Sequence, residues 1–356
     1  MIKIIYINTL NIGVSYWRIE NYANTMVQFK DDCAVHVEYF FDPRLNIPWD
    51  KLIYQNTEEM ENIRDKLDAI FQFYDIIIFQ KIQGMPLIEF INELRKKYPK
   101  PRLLMECDDS IGDITPSNVG IDKITDEHSV AAIHAQISDG VITTTEYLAN
   151  ELKLFNKNVY IAPNCIDPSS WRVNEYKYKK ESTFNISYVA GGGHDEDLLI
   201  AYRSIEPLLE SSNIKFKIRY GGSRPVFLKH HKKIDFKTVN YTLDIYPQKL
   251  YDLKSDLALA PLRDTSFNRC KSNIKFLEWA YIGVTTLASN VDPYKKTKGN
   301  IFLSSNDIND FSNNIKEIIS GRNKVFDPKL LKDNLIENYN IKTETKKILQ
   351  YLKSIL

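Results

Sequence analysis

The chain has 356 residues, of which 43% are hydrophobic and 26% charged, and a formal net charge of +1. That length suggests two domains, the mix is that of a globular protein, and so even a balance leaves polyanion binding to local patches. Four scattered cysteines (Cys33, Cys107, Cys165, Cys270), with no CxxC or Cys/His cluster, support neither a disulfide framework nor a zinc site and fit reduced thiols in a cytoplasmic protein.

The N-terminus, MIKIIYINTL, is apolar but short, and its alternation reads as a first strand, not a signal peptide. No run of about 18 apolar residues marks a membrane span. In chain order the pattern then alternates. Residues 2–7 read as strand, 17–29 as helix, 35–41 as strand, 60–71 as helix and 75–79 as a strand covered on both faces. Pro86 opens a helix that ends near Tyr98. Strands at 102–105, 140–143 and 159–162, with a helix at 146–155, complete the first half.

Residues 172–182, RVNEYKYKKES, are polar and basic without apolar periodicity, and read as a linker. Strands follow at 184–189, 215–220, 257–262 and 285–289, with helices at 196–209, 273–282, 307–319 and 343–356. Repeated strand–helix alternation argues for parallel sheets of right-handed βαβ units. The α/β organisation expected is two Rossmann-like domains facing a central cleft. An N-terminal domain spans 1–170, a linker 171–182, and a C-terminal domain 183–335. A last helix, within 336–356, crosses back to the N-domain. Ligands in such sheets bind beyond the carboxyl ends of the strands.

Several stretches carry candidate chemistry. In 272–289, SNIKFLEWAYIGVTTLAS, the residues Ser272, Lys275 and Glu278 recur at intervals of three. Ser272 suits a helix N-cap. The helix start suits phosphate, with Lys271 and Lys275 adding charge. Glu278 lies about 120° around the axis from Ser272, where a carboxylate could accept two hydrogen bonds from a ribose diol. The alternative is a capped helix with a solvated i,i+3 Lys–Glu pair. Gly191, Gly192 and Gly193 follow a strand and permit close approach to phosphate or sugar, or form a plain β–α turn. They are not a GxGxxG fingerprint, so a nicotinamide site is disfavoured. Arg219 and Arg224 flank Gly221-Gly222 and are candidates for bidentate phosphate pairing or surface arginines.

The order and spacing of these motifs resemble GT-B glycosyltransferases, particularly glycosyltransferase family 4 (glycosyl transferases group 1). The resemblance runs over roughly residues 135–320 and includes DGVITTTEYLA (139–149), IAPNCID (161–167), ISYVAGGG (186–193) and the 272–289 stretch. It implies a GT-B fold and transfer of a hexose-like sugar from a nucleoside-diphosphate sugar to an acceptor hydroxyl of a glycan, cell-surface polymer or similar compound. No cofactor or metal is expected beyond the donor. It further implies that Glu278 binds the ribose hydroxyls, that the helix start binds the diphosphate, and that the anomeric configuration is retained. Two departures stand out. The first Glu of the family's E-x7-E pair is replaced by Cys270, in a loop whose Asn268, Arg269 and Lys271 take other parts. Thr285 stands where the family has proline.

In the first half, NIGVSYWR (11–18) joins a strand to a helix. The resemblance makes Gly13 and Arg18 candidates for phosphate or acceptor contact, against a plain turn with a helix-start arginine. ECDD (106–109) follows a strand. Three readings compete for it: a DxD-like metal site, a catalytic base at Asp108 or Asp109, or an Asx turn. His128 and His134 fall in a predicted helix. Two basic clusters, 95–102 and 229–233, are candidate contacts for nucleic acid or a peripheral membrane surface, or solvated faces.

Three other readings of the whole chain remain. They are a nucleotide-sugar epimerase on the same fold, a DNA-modifying sugar transferase, and a non-catalytic nucleotide-sugar-binding subunit.

Overall fold

The computed structural model describes residues 1–9, 13–39, 41–42, 47–48, 57–82, 84–112, 121–175 and 182–356. The chain divides into two compact units. The first contains Met1–Ile114, Gly120–Cys165 and Ile341–Leu356, and the second Ile166–Asn340. Most of the basic stretch 172–182 lies outside the described residues.

The first unit is built on a six-stranded sheet of β1 (Ile2–Asn8), β2 (Cys33–Tyr39), β5 (Ile76–Gln80), β6 (Arg102–Glu106), β7 (Gly140–Thr143) and β8 (Val159–Ile161). A two-stranded piece, β3 (Phe41–Asp42) with β4 (Ile47–Pro48), stands apart. The main order is β2-β1-β5-β6-β7-β8, and every pairing is parallel. β5 is buried along its whole length, as its unbroken Ile-Ile-Ile-Phe run requires when helices cover both faces. On one face Ile5, Ile7, Ile77, Phe79 and Leu103 meet Ile63, Leu67, Ile88 and Ile91 of helices Thr57–Phe73 and Met85–Lys97.

The first helix begins earlier than the apolar pattern suggests, at Gly13, and runs to 29 with a π turn at Tyr16–Glu20. Widening at that turn buries Tyr16, Trp17, Arg18 and Ile19 in succession. The last helix, Ile341–Ser354, belongs to the first unit and packs against the Asn21–Met26 part of this helix.

The second unit repeats the plan with β9 (Phe184–Ala190), β10 (Ile214–Tyr220), β11 (Ile234–Thr238), β12 (Leu257–Ala260), β13 (Thr285–Ser289) and β14 (Phe302–Ser304). All pairings are again parallel, in the order β11-β10-β9-β12-β13-β14. The order reverses between β9 and β12. The crevice beyond their carboxyl ends is where doubly wound sheets take ligands. Ile186, Tyr188, Phe216, Ile218, Leu257 and Leu287 form the core with Leu198, Ala201, Phe311 and Ile315 from the helices.

The expected helix 196–209 is two, Asp195–Ile205 and Leu208–Ser211. Pro207 between them has no N–H to continue the ladder. Gly283 has φ +77°, and a Cβ there would lie 2.6 Å from Pro328 Cβ, so glycine is required on both counts. Thr285, where the resemblance expects proline, accepts the Phe326 amide through its hydroxyl at 2.9 Å, a bond proline cannot make. Among the described residues no helix is long and apolar enough to cross a membrane.

Candidate functional site

The second unit gathers charge at its switch point. The loop leaving β9 carries Gly191–Gly193, with φ +83° at Gly193. Among the described residues a Cβ at Gly191 would meet nothing within 4 Å. A Cβ at Gly221 would fall 2.8 Å from Gly192 N, so the loops after β9 and β10 lie backbone to backbone. Helix Asp195–Ile205 then starts beneath His194, whose Nδ1 is 2.8 Å from Asp197 Oδ2. The other oxygen of Asp197 accepts the Arg263 amide at 2.9 Å, tying the loop after β12 to this helix. Burial works against ionisation of Asp197, but His194 and Lys275 with the Arg263 amide still lower its pKa. Lys275 and burial in turn lower that of His194.

Helix Ile274–Tyr281 brings the two remaining charges. Its N-cap is Asn273, not Ser272 as the spacing suggests. The Asn273 amide is drawn to Thr297 Oγ1 (3.1 Å) and Tyr339 Oη (2.8 Å) and makes no capping bond. Lys275 is half-buried, with its Nζ 5.4 Å from the centre of the Tyr188 ring on β9. Among the described residues it has no ion-pair partner. Burial lowers its pKa, against the pull of Asp197 and Glu278. A partly desolvated ammonium without a direct ion-pair partner among the described residues offers favourable ground to an anion.

Glu278, one turn further, is 6% exposed and accepts a hydrogen bond from Tyr246 Oη at 3.0 Å. Burial pushes its pKa up to about 8, with Tyr246 and Lys275 pulling the other way.

The structure therefore brings Gly191–Gly193, Lys275 and Glu278 to one end of one sheet, and Lys271 acts on both His194 and Lys275. Other expectations are redirected. Asn268 Nδ2 donates to Arg263 O at 3.0 Å and its amide donates to Thr265 Oγ1 at 3.2 Å, so it shapes its loop, which holds an unforeseen helix Ser266–Cys270 capped by Thr265. Cys270, at the position of the family's first Glu, is fully buried and presents nothing to a ligand. Arg219, expected on phosphate, is buried on β10 and paired with Asp235 at 2.8 Å. Arg224 bonds the carbonyls of Leu228 and Lys229. His194, Asp197 and Tyr246 were not singled out by sequence. Only the acids clustered in the first turn of Asp195–Ile205 hinted at them.

In the first unit Arg18, a candidate phosphate or acceptor contact, is held in a buried ion pair. Its Nε lies 2.6 Å from Glu106 Oε1, and Nη1 donates to Ala162 O and Asn164 Oδ1 at 2.8 Å each. Asn164, of the 161–167 motif, thus braces Arg18. Asp139, which opens the 139–149 motif, binds Arg95 (2.7 Å) and the Leu103 amide (2.8 Å). Both motifs therefore do scaffold work. Gly13 opens its helix, and among the described residues a Cβ there would meet nothing within 4 Å; residues 11 and 12 lie outside the described set.

Asp108 and Asp109 stand half-exposed just past β6. Partial burial, with Asp109 and Glu106 beside it, holds the Asp108 carboxyl above the usual carboxylate range. His134 is fully buried, its Nδ1 accepts the Ile82 amide at 3.4 Å, and burial lowers its pKa to about 3. It is a neutral core histidine.

Part of each basic cluster is paired with neighbouring elements. Arg95 pairs with Asp139 (2.7 Å), Lys97 with Asp68 (2.7 Å) and Lys100 with Asp75 (2.9 Å). Lys229 pairs with Glu206 and His231 with Glu210, each at 3.0 Å.

Comparison of the sequence with family profiles and with curated proteins yields no match. Solved structures do match along the whole chain. A glycosyltransferase from Rickettsia africae superposes with TM-score 0.66 at 12% identity, covering 99% of this chain and 98% of the other. The trehalose-6-phosphate protein of E. coli bound with UDP-2-fluoro glucose gives 0.60 at 12%, covering 99% of each. A UDP-N-acetylglucosamine 2-epimerase gives 0.52 at 12%, covering 99% and 95%. With its two parallel α/β sheets, this chain has the GT-B fold.

Proposed function

We propose that the protein is a glycosyltransferase that moves a sugar from a nucleoside-diphosphate sugar to an acceptor hydroxyl. One observation carries the reading: Lys275 and Glu278 sit in successive turns at the start of the helix after β12, at the sheet's switch point. One is an ammonium with no ion-pair partner among the described residues, suited to a diphosphate, the other a carboxyl group suited to a ribose diol. Lys275, Lys271 and the helix start meet the charge that builds on the departing diphosphate. The reading assigns no cofactor beyond the donor and no metal ligand. Support also comes from two of the structural neighbours, named as a glycosyltransferase and as a protein holding a UDP-sugar analogue.

The acceptor is assigned to the first unit. Its hydroxyl gives up a single proton: on an inverting course Asp108 takes it, and on a retaining course, which the family-4 resemblance carries with it, the departing diphosphate takes it and Asp108 only orients the hydroxyl. The anomer of the product, read by proton NMR, decides between the two.

The epimerase neighbour favours a second reading, conversion of a bound UDP-sugar without any acceptor. Incubation with UDP-sugars separates them. The transferase reading expects free UDP to appear only when an acceptor is supplied. An altered UDP-sugar formed in the absence of acceptor overturns it.

A further inference from the structure

Glu278 is held from one side only. Its Oε2 accepts the Tyr246 hydroxyl at 3.0 Å. Its Oε1 has no donor among the described residues, yet it is not sealed from solvent as the orphaned buried atoms of this protein are. Tyr246 is fixed in its turn. Its ring stands edge-on to the buried Trp171, with centroids 5.8 Å apart at 86°. Tyr241 flanks it at 6.4 Å. Pro247 stiffens the first turn of helix Tyr246–Tyr251, and Gln248 Oε1 accepts the Asn174 amide at 2.8 Å. A phenol with so little freedom sets the plane of the carboxylate it touches.

We propose that Tyr246 is a positioning residue for nucleotide recognition, holding Glu278 by one oxygen so that the other is left for the ribose diol of the ligand. The inference rests on the nucleotide-sugar reading of the site. It deepens that reading by making discrimination between ribose and deoxyribose a property of the Tyr246–Glu278 pair, not of Glu278 alone. A site built around a hydroxyl rejects the ligand that lacks it, and the rejection weakens when the carboxylate can swing.

Charged and titratable groups face Glu278 from three directions: Lys275 on its own helix, Tyr246 opposite, and the buried Tyr294, which also senses Asp197. Among these, Tyr246 both donates to the carboxylate and favours its ionised form. Removing the hydroxyl therefore moves ionisation of Glu278 to higher pH.

The test is Tyr246→Phe, which keeps the ring and its packing on Trp171. UDP and 2′-deoxy-UDP are titrated by calorimetry from pH 6 to 9 into wild type and variant. In parallel the Glu278 carboxyl carbon is followed by NMR in the unliganded proteins, with Glu278→Gln assigning the signal. The expected results are a roughly tenfold loss of the UDP preference over 2′-deoxy-UDP and an alkaline displacement of the Glu278 titration. A displaced titration with unchanged ribose preference overturns the inference while leaving the nucleotide reading intact. So does an unmoved titration with affinity lost equally for both ligands, the mark of a purely structural tyrosine. If wild type binds neither UDP nor GDP, CDP or dTDP, the nucleotide reading itself fails and the inference falls with it.

Discussion

Arg18 Nε lies 2.6 Å from Glu106 Oε1, and both side chains are only 1% exposed. Burial raises the pKa of Glu106 in spite of Arg18, so desolvation outweighs attraction for the carboxylate. Such a pair adds little net stability but is costly to break from one side. Glu106→Gln or Arg18→Ala is expected to destabilise the fold by about 3–5 kcal/mol, measured by urea unfolding. The double substitution Arg18→Met with Glu106→Leu is expected to recover much of that loss. Full additivity of the two single losses contradicts the assignment.

Lys275 is expected to act on phosphate, not on the base or ribose. Lys275→Met removes the charge and keeps the stem. Loss of a charge-assisted hydrogen bond predicts a nucleoside diphosphate bound about 10- to 100-fold more weakly, with the affinity for the bare nucleoside unchanged. Calorimetry with both ligands checks this, and an equal loss for both points to a collapsed helix start.

Asp108 makes a prediction with a sign. Its carboxyl is held above the usual carboxylate range by partial burial and by its acidic neighbours, and a base works only when deprotonated. Turnover is therefore expected to rise with pH above the range in which an ordinary aspartate is already ionised. Asp108→Asn is expected to lower kcat by about 10²-fold or more and to flatten that rise, with donor affinity spared. A wild-type profile in the variant removes Asp108 from the mechanism.

The glycine loop separates packing from binding. A Cβ at Gly221 meets the backbone of Gly192 and Gly191 at 2.8–3.1 Å, whereas one at Gly191 meets nothing. Gly221→Ala is expected to cost about 1–3 kcal/mol of stability. Gly191→Ala is expected to leave the melting temperature in place and weaken nucleotide binding, because among the described residues nothing occupies the space its methyl enters. A thermal melt and a titration on each variant suffice.

Much of the architecture was legible because buried parallel strands announce themselves. Ile76–Phe79 is an unbroken apolar run, Thr285–Ser289 is a stretch of β-branched and small residues after the Gly283 turn, and both lie in fully buried strands. β11 escaped notice because Ile234–Thr238 is an edge strand with alternating charge, only half-covered. β14 is three residues long, too short for a periodic signal. At the site, Lys275 and Glu278 were visible through helical spacing, because that spacing fixes which side chains share a face. Arg18 and Arg219 were misplaced because a sequence does not show the partner. Glu106 lies 88 residues from Arg18 and Asp235 lies 16 from Arg219, and each turns a candidate ligand contact into a closed pair. The same non-locality hid Tyr246, which meets Glu278 across 32 residues.

The most direct test of the account is calorimetric titration of UDP, GDP, CDP and dTDP into wild type and Glu278→Ala. The account predicts that wild type binds one diphosphate in preference to the others. It further predicts that, at a pH above about 8 where Glu278 is ionised, Glu278→Ala weakens that binding by about 1.5–3 kcal/mol, the worth of hydrogen bonds to a charged group, with its melting temperature nearly unchanged. Equal affinity in the variant, or no binding of any diphosphate to wild type, contradicts it. The start of helix Ile274–Tyr281 would then be a scaffold and not a site.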